Sequence, residues 1–124
     1  MRPRRSSPRP RSTTERGRDA ERRAARHYRL RGYRILGRNV RAGGVELDLI
    51  VRRGRRLVFV EVKQKSGRAY GDPLEAVGEW KRGRLRRGIA AWLAAHREAE
   101  RLEVRVEIVA VRGRALERVS ELLY

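Results

Sequence analysis

Residues 45–63 read VELDLIVRRGRRLVFVEVK, and this stretch decides the fold. Two apolar runs, residues 45–51 and 56–62, flank Arg52-Arg53-Gly54-Arg55, which is the spacing of a β-hairpin. If the linker closes a turn of even length, Ile50 faces Leu57, Asp48 faces Phe59 and Glu46 faces Glu61. Side chains alternate with period two along a strand. Glu46, Asp48, Glu61 and Lys63 then project from one side, while Val45, Leu47, Leu49, Val58, Val60 and Val62 line the other. Asp48 and Glu61 become diagonal neighbours, roughly 7 Å apart at the backbone and near enough to share one cation. A turn of odd length would split the set across both faces.

Carboxylates at the end of otherwise apolar strands repel one another and lose hydration unless something cationic neutralises them. A donor set made only of oxygen favours Mg²⁺ or Mn²⁺, hard ions that accept a few carboxylates and keep waters for a phosphate. The competing reading is a strand end whose acids pair with nearby arginines.

On either side of the hairpin the pattern changes. Residues 1–17 combine arginine, Pro3, Pro8, Pro10, serine and threonine without apolar periodicity and read as a disordered basic tail, with the folded domain spanning 18–124. Ala20, Ala24, Ala25 and Tyr28 form an apolar stripe on a helix over 18–31, stopped by Gly32. Residues 33–40 read as a strand, with a glycine-containing turn at 41–44. Asp72-Pro73-Leu74-Glu75 has the chemistry of a helix start: Asp at the N-cap, Pro at the first helical position and Glu in a capping box. That helix is expected to reach about His96. Residues 102–111 alternate as a strand, and Arg112-Gly113 turns the chain into a last one over 115–119. The order α-β-β-β-α-β-β is that of a single α+β domain with a mixed sheet.

The chain has 124 residues and carries 33 Lys+Arg against 15 Asp+Glu, a net charge of +18. That imbalance points to a polyanionic partner, nucleic acid above all. Absence of cysteine excludes disulfides, thiolate catalysis and cysteine-ligated metal. No apolar run is long enough to span a bilayer, so a cytoplasmic protein without a membrane partner is expected. No phosphate-cradling glycine loop of the P-loop kind is present. Only three of the basic residues are lysines: Lys63, Lys65 and Lys81. Lysine stands at 63 where arginine is the habitual cation, and a compact ammonium can place a proton or a water where a planar guanidinium cannot. Lys81 falls on the helix stripe Leu74, Val77, Lys81, Leu85, Trp92, where an apolar residue is expected.

The run Glu46-Leu47-Asp48-Leu49-Ile50 followed by Val58-Phe59-Val60-Glu61-Val62-Lys63 resembles the D-(x)n-E-x-K signature of restriction-endonuclease-like nucleases. With Gly32-Tyr33, Ile35-Leu36, Arg38-Asn39 and the Lys81 region, it is similar to the YraN-type uncharacterised family, which itself resembles archaeal Holliday-junction resolvases. The likeness covers about residues 17–119. It departs from the family pattern at Val45, where glycine is usual, and at Arg52-Arg53, where the hairpin turn is usually acidic.

The resemblance implies a restriction-endonuclease-like core with Asp48 and Glu61 as metal ligands, Glu21 completing the acidic cluster, Glu46 in an accessory part and Lys63 as the catalytic lysine. It implies Mg²⁺-dependent (or Mn²⁺-dependent) hydrolysis of phosphodiester bonds in structured or branched DNA. Lys65, Arg68, Lys81 and Arg82 are expected to contact the nucleic acid, and a homodimer would suit a symmetric junction. The alternative is a non-catalytic module that binds structured RNA or DNA and keeps its acids for structure. His27 and His96 are isolated and read as surface or stripe-edge residues. Trp80, Trp92 and Tyr28 read as core, and an exposed Tyr70 could stack on a base.

Overall fold

The computed structural model describes the backbone of residues 13–64 and 79–123, and the side chains of residues 17–64 and 82–118. Within these, α1 (Thr13–Leu30) precedes three strands, β1 (Arg34–Ala42), β2 (Val45–Arg53) and β3 (Arg56–Gln64). Then come α2 (Glu79–Ala95), a short 3₁₀ turn (Arg97–Arg101), β4 (Glu103–Arg112) and β5 (Ala115–Leu123). The expected α+β order is present. α1 begins five residues ahead of Arg18, and the capping sequence 72–75 lies outside the described residues.

Turn chemistry explains the connections. α1 stops because Gly32, at φ +85°, lets the Gly32 and Tyr33 amides donate back to the carbonyls of Arg29 and Tyr28, both at 3.0 Å, closing the last turn. Gly43 and Gly44 both have positive φ, as the tightest hairpin turn requires, and join β1 to β2. In the β2–β3 turn only Gly54 has positive φ, so it takes the first turn position and Arg53 pairs with Arg56. The pairing is therefore Arg52 with Leu57, Ile50 with Phe59 and Leu49 with Val60. This corrects the register expected from sequence by two residues. An even shift preserves which face each residue takes, and it sets Asp48 opposite Glu61 rather than diagonal to it.

The sheet runs β1-β2-β3-β4-β5, antiparallel throughout except for β3 and β4, which are parallel and joined through α2. Its two faces bury separate cores. On one, α1 contributes Ala24, Ala25 and Tyr28 against Leu49, Val51, Val58, Val60 and Val109. On the other, Leu85, Ile89 and Trp92 of α2 pack on Val45, Leu47, Ile50, Leu57, Phe59 and Val106. The Phe59 and Trp92 rings meet edge to face at 5.4 Å. Each large side chain so buried contributes roughly 1.5–3 kcal/mol.

β2 does not alternate strictly. Val45 and Leu47 belong to the α2 core, whereas Leu49 and Val51 belong to the α1 core. The strand turns over at Asp48, so the single apolar face expected from residues 45–51 does not exist. Across from it, Arg38 pairs with Leu49 and Val40 with Leu47, which sets Asn39 opposite Asp48. Asn39 is the one non-glycine residue of positive φ (+50°) among those described, a kink asparagine tolerates better than most residues. The β2–β3 ladder also ends at Leu49 and Val60.

Candidate metal centre

Below the inversion, Val45 and Leu47 face α2, so Glu46 and Asp48 project to the α1 side. Glu21 enters there from the buried stripe of α1, one residue after Ala20 and four before Ala25. One carboxylate oxygen from each of Glu21, Glu46 and Asp48 lies within 4.8 Å of the others. Two oxygens bound to one Mg²⁺ at about 2.1 Å stand about 3–4.2 Å apart, so small side-chain rotations suffice to close the cluster on an ion. The three residues can hold a metal. In a chain with 30 arginines, none of these three acids has a lysine or arginine in ion-pair reach among the described residues. The reading in which arginines neutralise these acids therefore loses its support.

Asp48 sits where the strands part. The backbone N–H of Val62 donates to its Oδ2 at 2.9 Å, taking the place of a ladder bond. Burial is the largest influence on its carboxyl and the charge of Glu61 the next. Together they push its pKa up to about 8, with Glu21 adding to the effect and the Val62 bond opposing it. Without a cation these influences favour the protonated form of Asp48, whose side chain is hydrogen-bonded to Glu61. Glu61 is buried, and its Oε1 lies 3.6 Å from Nζ of Lys63. Val60 and Val62 pack in the α1 core, so by alternation Glu61 and Lys63 turn to the other side. Asp48, at the seam, reaches both groups.

The structure sets Glu21 beside Asp48, links Asp48 to Glu61 and leaves Lys63 next to Glu61, but the single face expected to carry Asp48, Glu61 and Lys63 is absent. Glu46, expected only as an accessory, stands in the triad on equal terms. Its position two residues before Asp48 was the available signal. Arg82 lies on the inward stripe of α2, one turn ahead of Leu85, with its Nε buried and without a hydrogen-bond partner. Lys65, Arg68 and Tyr70, and the side chains of Trp80 and Lys81, lie outside the described residues. Trp92 and Tyr28 are core, as read. His96 stacks on Trp92, with ring centroids 3.9 Å apart, and its Nδ1 lies 2.8 Å from the Trp92 carbonyl.

Sequence reading missed a buried constellation behind the site. Glu107 on β4 is 3% exposed, accepts a hydrogen bond from the Tyr28 hydroxyl at 2.5 Å and lies 3.5 Å from Nη1 of Arg118. Burial and the Glu107 carboxylate push the Tyr28 phenol well above its ordinary pKa, so it remains a donor. Tyr28 and Glu21 are two turns apart on the inward face of α1, so this bond fixes the helix that delivers Glu21.

A family model described as the uncharacterised protein family UPF0102 matches residues 20–111, a span that contains every described residue of the cluster. The chain belongs to that family. A UPF0102 protein of Beutenbergia cavernae is 50% identical over 91 residues, 73% of this chain and 76% of the relative. One from Syntrophotalea carbinolica is 44% identical over 98 residues, 79% of each chain. One from Frankia casuarinae is 48% identical over 95 residues, 77% of this chain and 80% of the relative. UPF0102 is the YraN-type family that the motifs resemble. Among the described residues no helix is long and apolar enough to cross a membrane.

Proposed function

We propose that this UPF0102 protein is a divalent-metal-dependent endonuclease that hydrolyses phosphodiester bonds in structured or branched DNA. The observation that carries this reading is the convergence of Glu21, Glu46 and Asp48 on one point, with no ion pair to an arginine among the described residues and with Glu61 and Lys63 nearby. The donors are all carboxylate oxygens, which fits Mg²⁺ or Mn²⁺. When bound, such an ion supplies positive charge to the scissile phosphate and acidifies a water.

The protein's residues do the rest. Glu21, Glu46 and Asp48 would hold the ion, with Asp48 in its ionised form. Glu61 fixes the ammonium of Lys63, which orients the attacking water and counters the negative charge that grows on the phosphoryl oxygens. The net charge of +18 supplies the attraction for the phosphate backbone, without reading sequence. Selectivity then rests on the shape of the DNA.

The test is nicking of a labelled branched DNA with Mg²⁺ or Mn²⁺. Wild type cuts, whereas Asp48→Asn and Lys63→Ala lose cutting by about a hundredfold or more and keep binding. Equal cutting by both variants overturns the assignment. Salt-sensitive binding with no cleavage under either ion leaves a nucleic-acid-binding module whose acids are structural.

A further inference from the structure

α1 has two flanks. One brings Glu21 to the acidic cluster. The other, through Arg23, Arg26, His27 and Leu30, meets Arg114 and Leu116 of the β4–β5 hairpin around a cleft of about 390 Å³. Among the described residues three guanidiniums line this cleft and no carboxylate does. Arg23 has a buried nitrogen, Nη1, with no hydrogen-bond partner. A charged donor taken out of water without an acceptor is costly, and an anion entering the cleft would remove that cost. Part of the lining is apolar: Leu30, 73% exposed, and Leu116.

We propose that this cleft is a second backbone site for nucleic acid, separate from the acidic cluster. In it Arg23, Arg26 and Arg114 bind phosphate oxygens while Leu30 and Leu116 pack on the sugar between them. The volume suits a sugar-phosphate unit rather than a single small anion. The apolar part of the lining has no use for a free phosphate ion. Guanidiniums in a cluster match the planar, bidentate geometry of phosphodiester oxygens. The proposal rests on the reading of this chain as a nucleic-acid enzyme, and it adds where the uncleaved part of the substrate is held. Because one rigid helix carries both Glu21 and Arg26, five residues and about 7.5 Å apart along its axis, the distance between the held and the cut segments is fixed.

The experiment measures binding of a fluorescein-labelled branched DNA to the full chain by anisotropy across a series of NaCl concentrations. The variants are Arg23→Gln/Arg26→Gln/Arg114→Gln and a control of equal charge loss, Arg86→Gln/Arg97→Gln/Arg101→Gln, at exposed positions outside the cleft. The cleft variant is expected to bind about tenfold more weakly than the control and to lose roughly two to three from the log–log salt slope, at about 0.9 per phosphate released. Arg114→Gln alone, at an exposed hairpin turn where folding is not in question, is expected to lose about one.

A cleft variant indistinguishable from the control in affinity and slope overturns the proposal. So does capture of polyglutamate that depends on the same arginines while DNA binding is unchanged. The two readings fail separately. Loss of slope with no cutting by wild type under any divalent ion sinks the nuclease and leaves the cleft; cutting with an unchanged slope does the reverse.

Discussion

At the scale of the residue, Asp48 is the group whose chemistry the fold has altered most usefully. Its folded pKa is raised to about 8, from an ordinary value near 4. A raised carboxyl pKa means the folded state binds the proton more tightly than the unfolded one. The metal-free protein is therefore most stabilised by this group below about pH 4 and loses that stability as pH rises toward 8. A divalent ion needs the ionised form, so proton and metal compete. The Tm increase on adding Mn²⁺ is expected to be small at pH 6 and to grow steadily to about pH 8, then level off. A shift independent of pH in calorimetry would contradict this. Asp48→Asn keeps an acceptor for the Val62 amide but needs no ionisation. It should raise the metal-free Tm at pH 8 by about 4 °C, on the order of 1 kcal/mol, and abolish the Mn²⁺ response. Tyr28→Phe leaves the buried Glu107 carboxylate without its donor, with only the 3.5 Å contact to Arg118. It should cost about 1–3 kcal/mol in urea unfolding and weaken Mn²⁺ affinity through a looser Glu21. An unchanged urea midpoint would show that the bond does not anchor α1.

Among the elements, those with strong periodicity and clear punctuation were legible: α1 from its alanine spacing, and β2 and β3 from a central glycine between apolar runs. The register was displaced by two because the sequence shows a glycine in a four-residue linker but not which turn position it occupies. Positive φ at Gly54 alone puts it first. The inversion of β2 was illegible. It depends on Asn39 adopting a left-handed conformation opposite Asp48, and no pattern of apolar residues within β2 encodes what its neighbour does. Glu46 was legible beside Asp48 from strand alternation alone, and its accessory part came from the family resemblance, where Val45 stands in place of the usual glycine. α2 lies tight on β2 at Gly88, where an added Cβ would stand 3.0 Å from Leu47 and 3.1 Å from Val45. Gly88→Val should push α2 off the strand that carries Glu46 and Asp48, costing roughly 1–3 kcal/mol. Thermal unfolding with and without Mn²⁺ checks it, and a variant as stable as wild type would mean the helix can shift freely.

For the whole molecule, three of the fifteen acids, Glu21, Glu46 and Asp48, gather at one place within a chain of net charge +18. A uniformly basic surface would bind a phosphate chain in any orientation, whereas an acidic point within it repels the chain until a cation intervenes. Among the described residues two α-helices flank the sheet, one per face, and each packs a separate core against it. Strands β2, β3 and β4 each give side chains to both cores, and β2 rolls over at Asp48, the residue proposed to hold the cation. At this point the β2–β3 ladder between the two halves has ended. A disturbance entering from either half converges on the same carboxyl oxygens, so cation affinity becomes a gauge of the integrity of the entire domain.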